Sequence, residues 1–312
     1  LNERGKIISL LLSIAVLLAF PLQAFCEDIQ NLTYDTIEKT VLGKNPDVLQ
    51  NYRDYANLDD EKTSTAVIAT KGINIIKANY QIVFNVQKEF ISYNNLKRKL
   101  ALSQLKETQL DLQLKLITTK KKLGKATTYE VLSAQNQLDQ QKKTSKDLQK
   151  QMTNIIENLN IEMGQNSDIA LSIESVPMVS LDSVKAINVD EDYQKAVLQS
   201  YDIRLTEISG NSYTEPQKAE IRDEYKTFFY NIYSDLQTAL EEYEYTVKQA
   251  EKALIDYNTT QKKLKYGFTS QQSYLTASYT WESTQSDLAG LKDSLYQAYQ
   301  KYEYAKKGLI LN

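Results

Sequence analysis

From Gly72 to Gly124 no proline interrupts the chain, and apolar residues recur along it at helical spacing. Ile76, Val83 and Phe90 stand seven apart, and so do Val86, Tyr93 and Leu100. A helix of about 50 residues reaches roughly 75 Å at 1.5 Å per residue. That exceeds what a compact globule uses, so the pattern predicts a coiled coil or bundle. With only nine Gly and four Pro in 312 residues, each glycine that does occur between long runs marks a turn.

Such a turn lies at Leu123-Gly124-Lys125-Ala126-Thr127-Thr128. Beyond it, Val131, Leu138, Ser145, Met152 and Leu159 share one heptad position. Ala134, Gln141, Leu148, Ile155 and Glu162 share the other, so this seam is apolar at its ends and polar in its middle. Gln141, Ser145 and Thr284 are open to two readings: solvated seam defects, or residues facing a lumen. Gly164 ends the run, and a loose connector containing Pro177 follows.

The plan then repeats. A short helix is predicted over about Glu191 to Ile208, followed by breaks at Gly210 and Pro216. The next seam reads Tyr225, Phe229, Ile232, Leu236, Ala239, Tyr243, Val247, Ala250, Leu254 and Tyr257, in alternating steps of three and four. A second turn at Lys265-Tyr266-Gly267-Phe268-Thr269-Ser270 leads to a return helix with Trp281, Leu288, Leu295, Tyr302 and Leu309 in one row. The two turn glycines are 143 residues apart, and TTKKKL before the first is echoed by TTQKKL before the second. The expected fold is therefore all-α, a duplicated long antiparallel helical hairpin with little or no β structure. Most of the 22 tyrosines fall at helical spacing, which favours their filling the bundle with hydroxyls reaching solvent at its edge over a stacking surface for ligands or carbohydrate. Ile75, Ile82, Ile91 and Leu102 lie off the seam and call for cover by a further helix.

The expected division is a leader over 1–26, short helices over 27–72, and a first hairpin over 73–164. A connector with a short helix over 165–212, a second hairpin over 213–309 and a tail over 310–312 complete it. The leader has Arg4 and Lys6 before an apolar run from Ile7 to Phe20, then Pro21 and small residues, the pattern of a secretory signal. Its run is shorter than the roughly 20 residues of a spanning helix. Cleavage after Ala24 or Cys26 is expected, with an uncleaved N-terminal anchor as the other reading; the signal places the protein in the cell envelope. Further on, Asn45-Pro46 reads as a capped helix start.

The chain has no histidine and a single cysteine, Cys26. Cys/His metal clusters, Ser-His-Asp and Cys-His systems and internal disulfides are thereby excluded. No catalytic, cofactor or metal-binding residue is expected, and the chain does not read as an enzyme. A formal charge of -3 spread along helices gives no support for a nucleic-acid partner.

At its turns the sequence resembles the TolC-like outer-membrane efflux protein family. In that family each hairpin tip reads approximately aromatic-x-x-Gly-x-x-Ser/Thr-x-x-Asp-Val/Leu-Leu-x-Ala. KLGKATTYEVLSAQ supplies Gly124, Thr127, Glu130, Val131, Leu132 and Ala134 at matching places. KYGFTSQQSYLTASY supplies Gly267, Ser270, Leu275 and Ala277, with Ser273 where the acid would stand. Asn45-Pro46 and the LNIEMG segment ending at Gly164 also resemble the family's early and closing segments.

The resemblance implies a homotrimer whose hairpins close an α-barrel. Its tips would dock on an adaptor (membrane fusion) protein of an inner-membrane ABC or other efflux pump. The residues it marks for docking are Gly124, Thr127, Glu130, Val131, Leu132, Gly267, Ser270, Tyr274 and Leu275; Ser273 and Thr276 would stand at the lumen entrance, without the family's acids. The family also places a pair of barrel strands before each long descending helix. Here only about 15 to 25 residues separate the helices, with no alternating pattern of the nine to eleven residues such strands need. Two other readings stand beside the exit duct: a coiled-coil envelope protein that transports nothing, and a barrel-bearing outer-membrane channel.

Overall fold

The computed structural model describes residues 28–58, 63–208 and 212–311; the leader lies outside them. The elements in order are β1 (Asn31–Leu32), α1 (Tyr34–Lys44), α2 (Pro46–Ala56), α3 (Thr65–Lys122), α4 (Thr128–Glu162), β2 (Ser172–Ile173), α5 (Leu181–Lys185), α6 (Val189–Gln199), α7 (Tyr201–Glu207), α8 (Glu215–Lys265) and α9 (Gln271–Lys306). The all-α class holds. Among the described residues the only sheet is the two-residue parallel pair β1–β2, with Ser172 N–H donating to the Gln30 carbonyl at 2.8 Å.

α3 begins at Thr65, eight residues before the expected Ile73, on a Ser64 cap. Only residues 57–64 separate α2 from α3, and 208–214 separate α7 from α8. Neither interval can hold two strands of about nine to eleven residues. The single helix expected over Glu191 to Ile208 is two. Ser200 is extended (φ −55°, ψ 122°) and caps α7 by accepting from Ile203 N–H at 3.4 Å, which ends α6 without glycine or proline.

Every long helix ends on a glycine in the left-handed region: Gly124 (φ 71°), Gly164 (69°), Gly267 (75°) and Gly308 (84°). At each, the glycine N–H bonds three residues back and the following N–H bonds five back, as with Gly124 to Lys121 (2.9 Å) and Lys125 to Lys120 (2.8 Å). This arrangement satisfies the last free carbonyls of the helix. Gly124 and Gly267 have open space around a would-be Cβ. Gly164 and Gly308 do not: a Cβ would lie 2.3 Å from the Lys44 and Gln199 carbonyl oxygens, respectively.

Those two close approaches are copies of one junction. Asn45, 2% exposed, caps α2 through Oδ1 while its Nδ2 donates to the Glu162 backbone oxygen at 2.9 Å and the Glu162 carboxylate at 2.7 Å. In the second half Ser200 occupies the same place, and Tyr201 N–H donates to the Gly308 carbonyl at 3.2 Å. The Asn-Pro segment and the closing glycine, separate motifs in the sequence, are thus one physical contact. Gly124 to Gly267 spans 143 residues and Gly164 to Gly308 spans 144, which supports duplication.

The chain divides into two compact units. The first runs to Phe90 and includes Glu157–Leu240 and the stretch from Ser294. Its core gathers Ile73, Ile76 and Phe84 of α3 with Tyr201, Ile208, Tyr304, Leu309 and Leu311. Tyr34 stands edge-on to Phe90 (5.8 Å) and Tyr296 (4.8 Å). Two of its buried tyrosines bond to protein rather than reaching solvent: Tyr225 Oη donates to the Ala305 carbonyl at 2.9 Å, and Tyr302 Oη to Asp192 at 2.9 Å.

The second unit, Ile91–Ile156 with Glu241–Asp293, has a thinner core. Leu96, Leu110, Ala134, Leu138 and Ala250 are buried, but so are Ser103, Gln109 and Ser145. Ser103 and Ser145 hydroxyls meet at 2.7 Å, Gln141 donates to Ser103 at 2.6 Å, and Ser145 also bonds Glu107. The polar middle of the α4 seam is therefore a hydrogen-bonded layer facing α3, which favours the seam reading of Gln141 and Ser145. Thr284 bonds back to its own helix at the Thr280 carbonyl, 2.8 Å away. Ile75 and Ile91 are buried within the single chain, so they do not call for an outside helix; Ile82 and Leu102 are half-buried.

Alanine at Gly124 or Gly267 should cost roughly 1–2 kcal/mol, the left-handed penalty alone. Gly164→Ala and Gly308→Ala add a backbone clash, so they should lower the thermal midpoint by clearly more than the tip variants do in circular-dichroism melts.

Candidate functional site

α3 and α9 run antiparallel through the second unit. Gln109 Nε2 donates to the Leu275 carbonyl at 2.6 Å, the Lys106 ammonium sits 5.0 Å from the Tyr279 ring centre, and Arg98 pairs with buried Asp293 at 2.6 Å. Burial raises the Asp293 carboxyl above its ordinary range, although Arg98 draws it the other way. Because α3 leads into the first turn and α9 leads out of the second, both glycine turns stand at the same end of this unit.

At the first turn Thr127 caps α4. Its backbone N–H and its hydroxyl donate to Glu130 Oε2 at 2.6 and 2.8 Å, and its hydroxyl accepts from Glu130 N–H at 3.2 Å. This is a capping box, two otherwise unpaired N–H groups satisfied reciprocally. The Thr127 N–H and hydroxyl, with Lys120 nearby, hold the Glu130 carboxyl below its usual range. The acid of the tip motif thus has a local structural task. Val131 is half-buried, and Leu132 is 57% exposed.

The second turn is built alike with different chemistry. The Ser270 hydroxyl accepts from Ser273 N–H at 3.1 Å and lies 2.9 Å from the Ser273 hydroxyl, so a hydroxyl stands where the first tip has its carboxylate. Thr276 is exposed and donates to the Gln272 carbonyl at 3.1 Å. Tyr274 is half-buried against Tyr257, hydroxyls 3.2 Å apart and rings 5.8 Å apart, and so closes the hairpin. Leu275 is also half-buried.

The most exposed large side chains at these turns are ones the motif does not name. Tyr129 is 79% and Phe268 80% exposed, and Leu123 and Tyr266 are exposed beside them. A signal for them was present: aromatic residues flank Gly267 outside every seam row, where no helix can cover them. Among the described residues no group of acidic side chains could hold a metal ion, and no helix is long and apolar enough to cross a membrane.

No protein-family model and no curated protein matches the sequence. Solved structures do match. The outer membrane protein VceC of Vibrio cholerae aligns with a TM-score of 0.58 and 10% identity, over 89% of this chain and 96% of that one. A membrane protein from Pseudomonas aeruginosa aligns at 0.58 and 12% identity, over 88% and 93%. The CmeC outer membrane channel of Campylobacter jejuni aligns at 0.52 and 14%, over 86% and 70%. The fold is that of the TolC-like channels. At these identities the likeness is one of backbone architecture, and the side chains of the tips stand on their own evidence.

Removing the cap with Thr127→Ala or Ser270→Ala should cost about 1 kcal/mol, read as faster amide exchange in the first turn of α4 or α9. Tyr129→Ser and Phe268→Ser should leave the melting point nearly unchanged, within roughly 0.5 kcal/mol, since neither side chain serves the fold. By carboxyl-carbon NMR, Glu130 should titrate below a free glutamate, and Thr127→Ala should raise it only part of the way, because the backbone N–H of residue 127 and Lys120 remain. Its capping contribution is present above that range and lost as pH falls through the lowered value.

Proposed function

We propose that this protein is the exit duct of a multicomponent efflux or export system in the cell envelope. Its hairpins assemble as a homotrimer around a bore, and its tips dock on an adaptor (membrane fusion) protein coupled to an inner-membrane ABC or other pump. The observation that carries this reading is the pair of matched, glycine-capped tips at one end of the second unit, both exposing aromatic side chains that the fold does not use. The TolC-like fold supports it, as does the signal-like leader in the sequence.

On this reading Gly124 and Gly267 fix the shape of each tip, while Thr127, Glu130, Ser270 and Ser273 lock the helix that follows. Val131, Leu132, Tyr274 and Leu275 belong to the docking face, joined by Tyr129 and Phe268. Thr276 lies with Ser273 at the entrance, a hydroxyl-lined rim rather than an acidic one. The duct itself performs no chemistry and needs no cofactor. A spacer protein that transports nothing has no use for duplicated, exposed tips.

Native mass spectrometry of the purified chain should give a trimer. Deleting its gene should raise intracellular accumulation of a fluorescent export substrate, restored by the intact chain and not by one with Tyr129→Ser and Phe268→Ser. A strict monomer, or accumulation indifferent to the deletion, would contradict the proposal.

A further inference from the structure

The charge of the two tips differs from that of the chain as a whole. Residues 116–138 hold Lys120, Lys121, Lys122 and Lys125 against the single acid Glu130, and residues 257–280 hold Lys262, Lys263 and Lys265 against none, in a chain whose formal charge is -3. All seven lysines are exposed, and among the described residues none makes an ion pair with a carboxylate. The one nearby acid is committed to the Thr127 capping box. Lysines in a last helical turn are favoured by the helix dipole, which explains one or two per helix. It does not explain Lys125, which lies beyond the helix end, nor why Glu130 is the one acid in the facing stretches 128–138 of α4 and 271–280 of α9.

The aromatic and aliphatic tips sit among these charges. Tyr266 and Phe268 flank Gly267, Leu123 precedes Gly124, and Tyr129 opens α4, all exposed. We propose that the partner surface these tips engage is acidic, with apolar sockets for Phe268 and Tyr129 framed by Asp or Glu. This rests on the docking reading above and specifies its partner by charge. Complementary charge steers encounter and sets register, and like charge on a wrong partner is repelled. Seven exposed ammonium groups against one carboxylate also make the contact sensitive to salt.

A photo-cross-linking phenylalanine analogue placed at Phe268 or at Tyr129 in the full chain, in its native cell, tests this. The analogue at Tyr245, exposed but away from the tips, is the control. Mass spectrometry of the adducts should find a protein segment with more Asp and Glu than Lys and Arg. Joint Lys121→Gln, Lys122→Gln, Lys262→Gln and Lys263→Gln should reduce the yield about tenfold, while the same positions as Arg keep it. A protein segment with balanced or basic charge, or a yield unmoved by the Gln variant, overturns the acidic partner and leaves docking standing. Lipid adducts alone, or no product at either tip beyond the Tyr245 control, overturn both.

Discussion

A helix can be reversed only where its last carbonyls find donors, and in this protein that task falls to glycine four times. Gly124, Gly164, Gly267 and Gly308 adopt positive φ at the ends of the four long helices, and no other residue type does so among the described residues. The need at all four is conformational, but only two are also crowded. At Gly164 and Gly308 the backbone of a short helix from the same half comes so close that no side chain fits. The base of each hairpin is therefore pinned, through the Asn45 side chain in the first half and the Tyr201 backbone N–H in the second. The tips are left open.

That difference runs through the rest of the molecule. The unit holding the pinned ends has the broad aromatic and aliphatic core, and the unit holding the tips relies on narrow seams, a buried serine–glutamine layer and the Arg98–Asp293 pair. Buried polar layers stabilise less than apolar ones, yet they fix which residues face each other. In the second unit these polar contacts specify register, while the apolar side chains at the turns stay uncovered. The intervals 57–64 and 208–214 add a second constraint, since they join the short and long helices too directly to admit barrel-length strand pairs.

The long helices, both turns and the Asn45 cap were legible because periodicity, glycine and capping residues are local signals. Ser200 was hidden because a helix ended by a serine cap carries neither glycine nor proline. Ile75 and Ile91 misled because the spacing of one helix shows that a face is apolar without naming what covers it. The tyrosines were placed correctly on the seams, but the destination of a hydroxyl, as with Tyr302 to Asp192, depends on a residue 110 positions away. At the tips the motif pointed to the turns that Gly124 and Gly267 make, but it does not name the exposed Tyr129 and Phe268, because a side chain that packs against nothing leaves no periodic trace in the sequence. Glu130 shows the reverse: its first use is local capping, whatever it meets outside.

Cryo-electron microscopy of the assembled protein bears most directly on the idea that twice-made hairpins enclose a bore with no strand barrel of their own. The expected map has a continuous hollow axis walled by α3, α4, α8 and α9 of each chain, with short non-strand connections at 57–64 and 208–214. An axis filled by packed side chains in every assembly, or strand density at those connections, would contradict it.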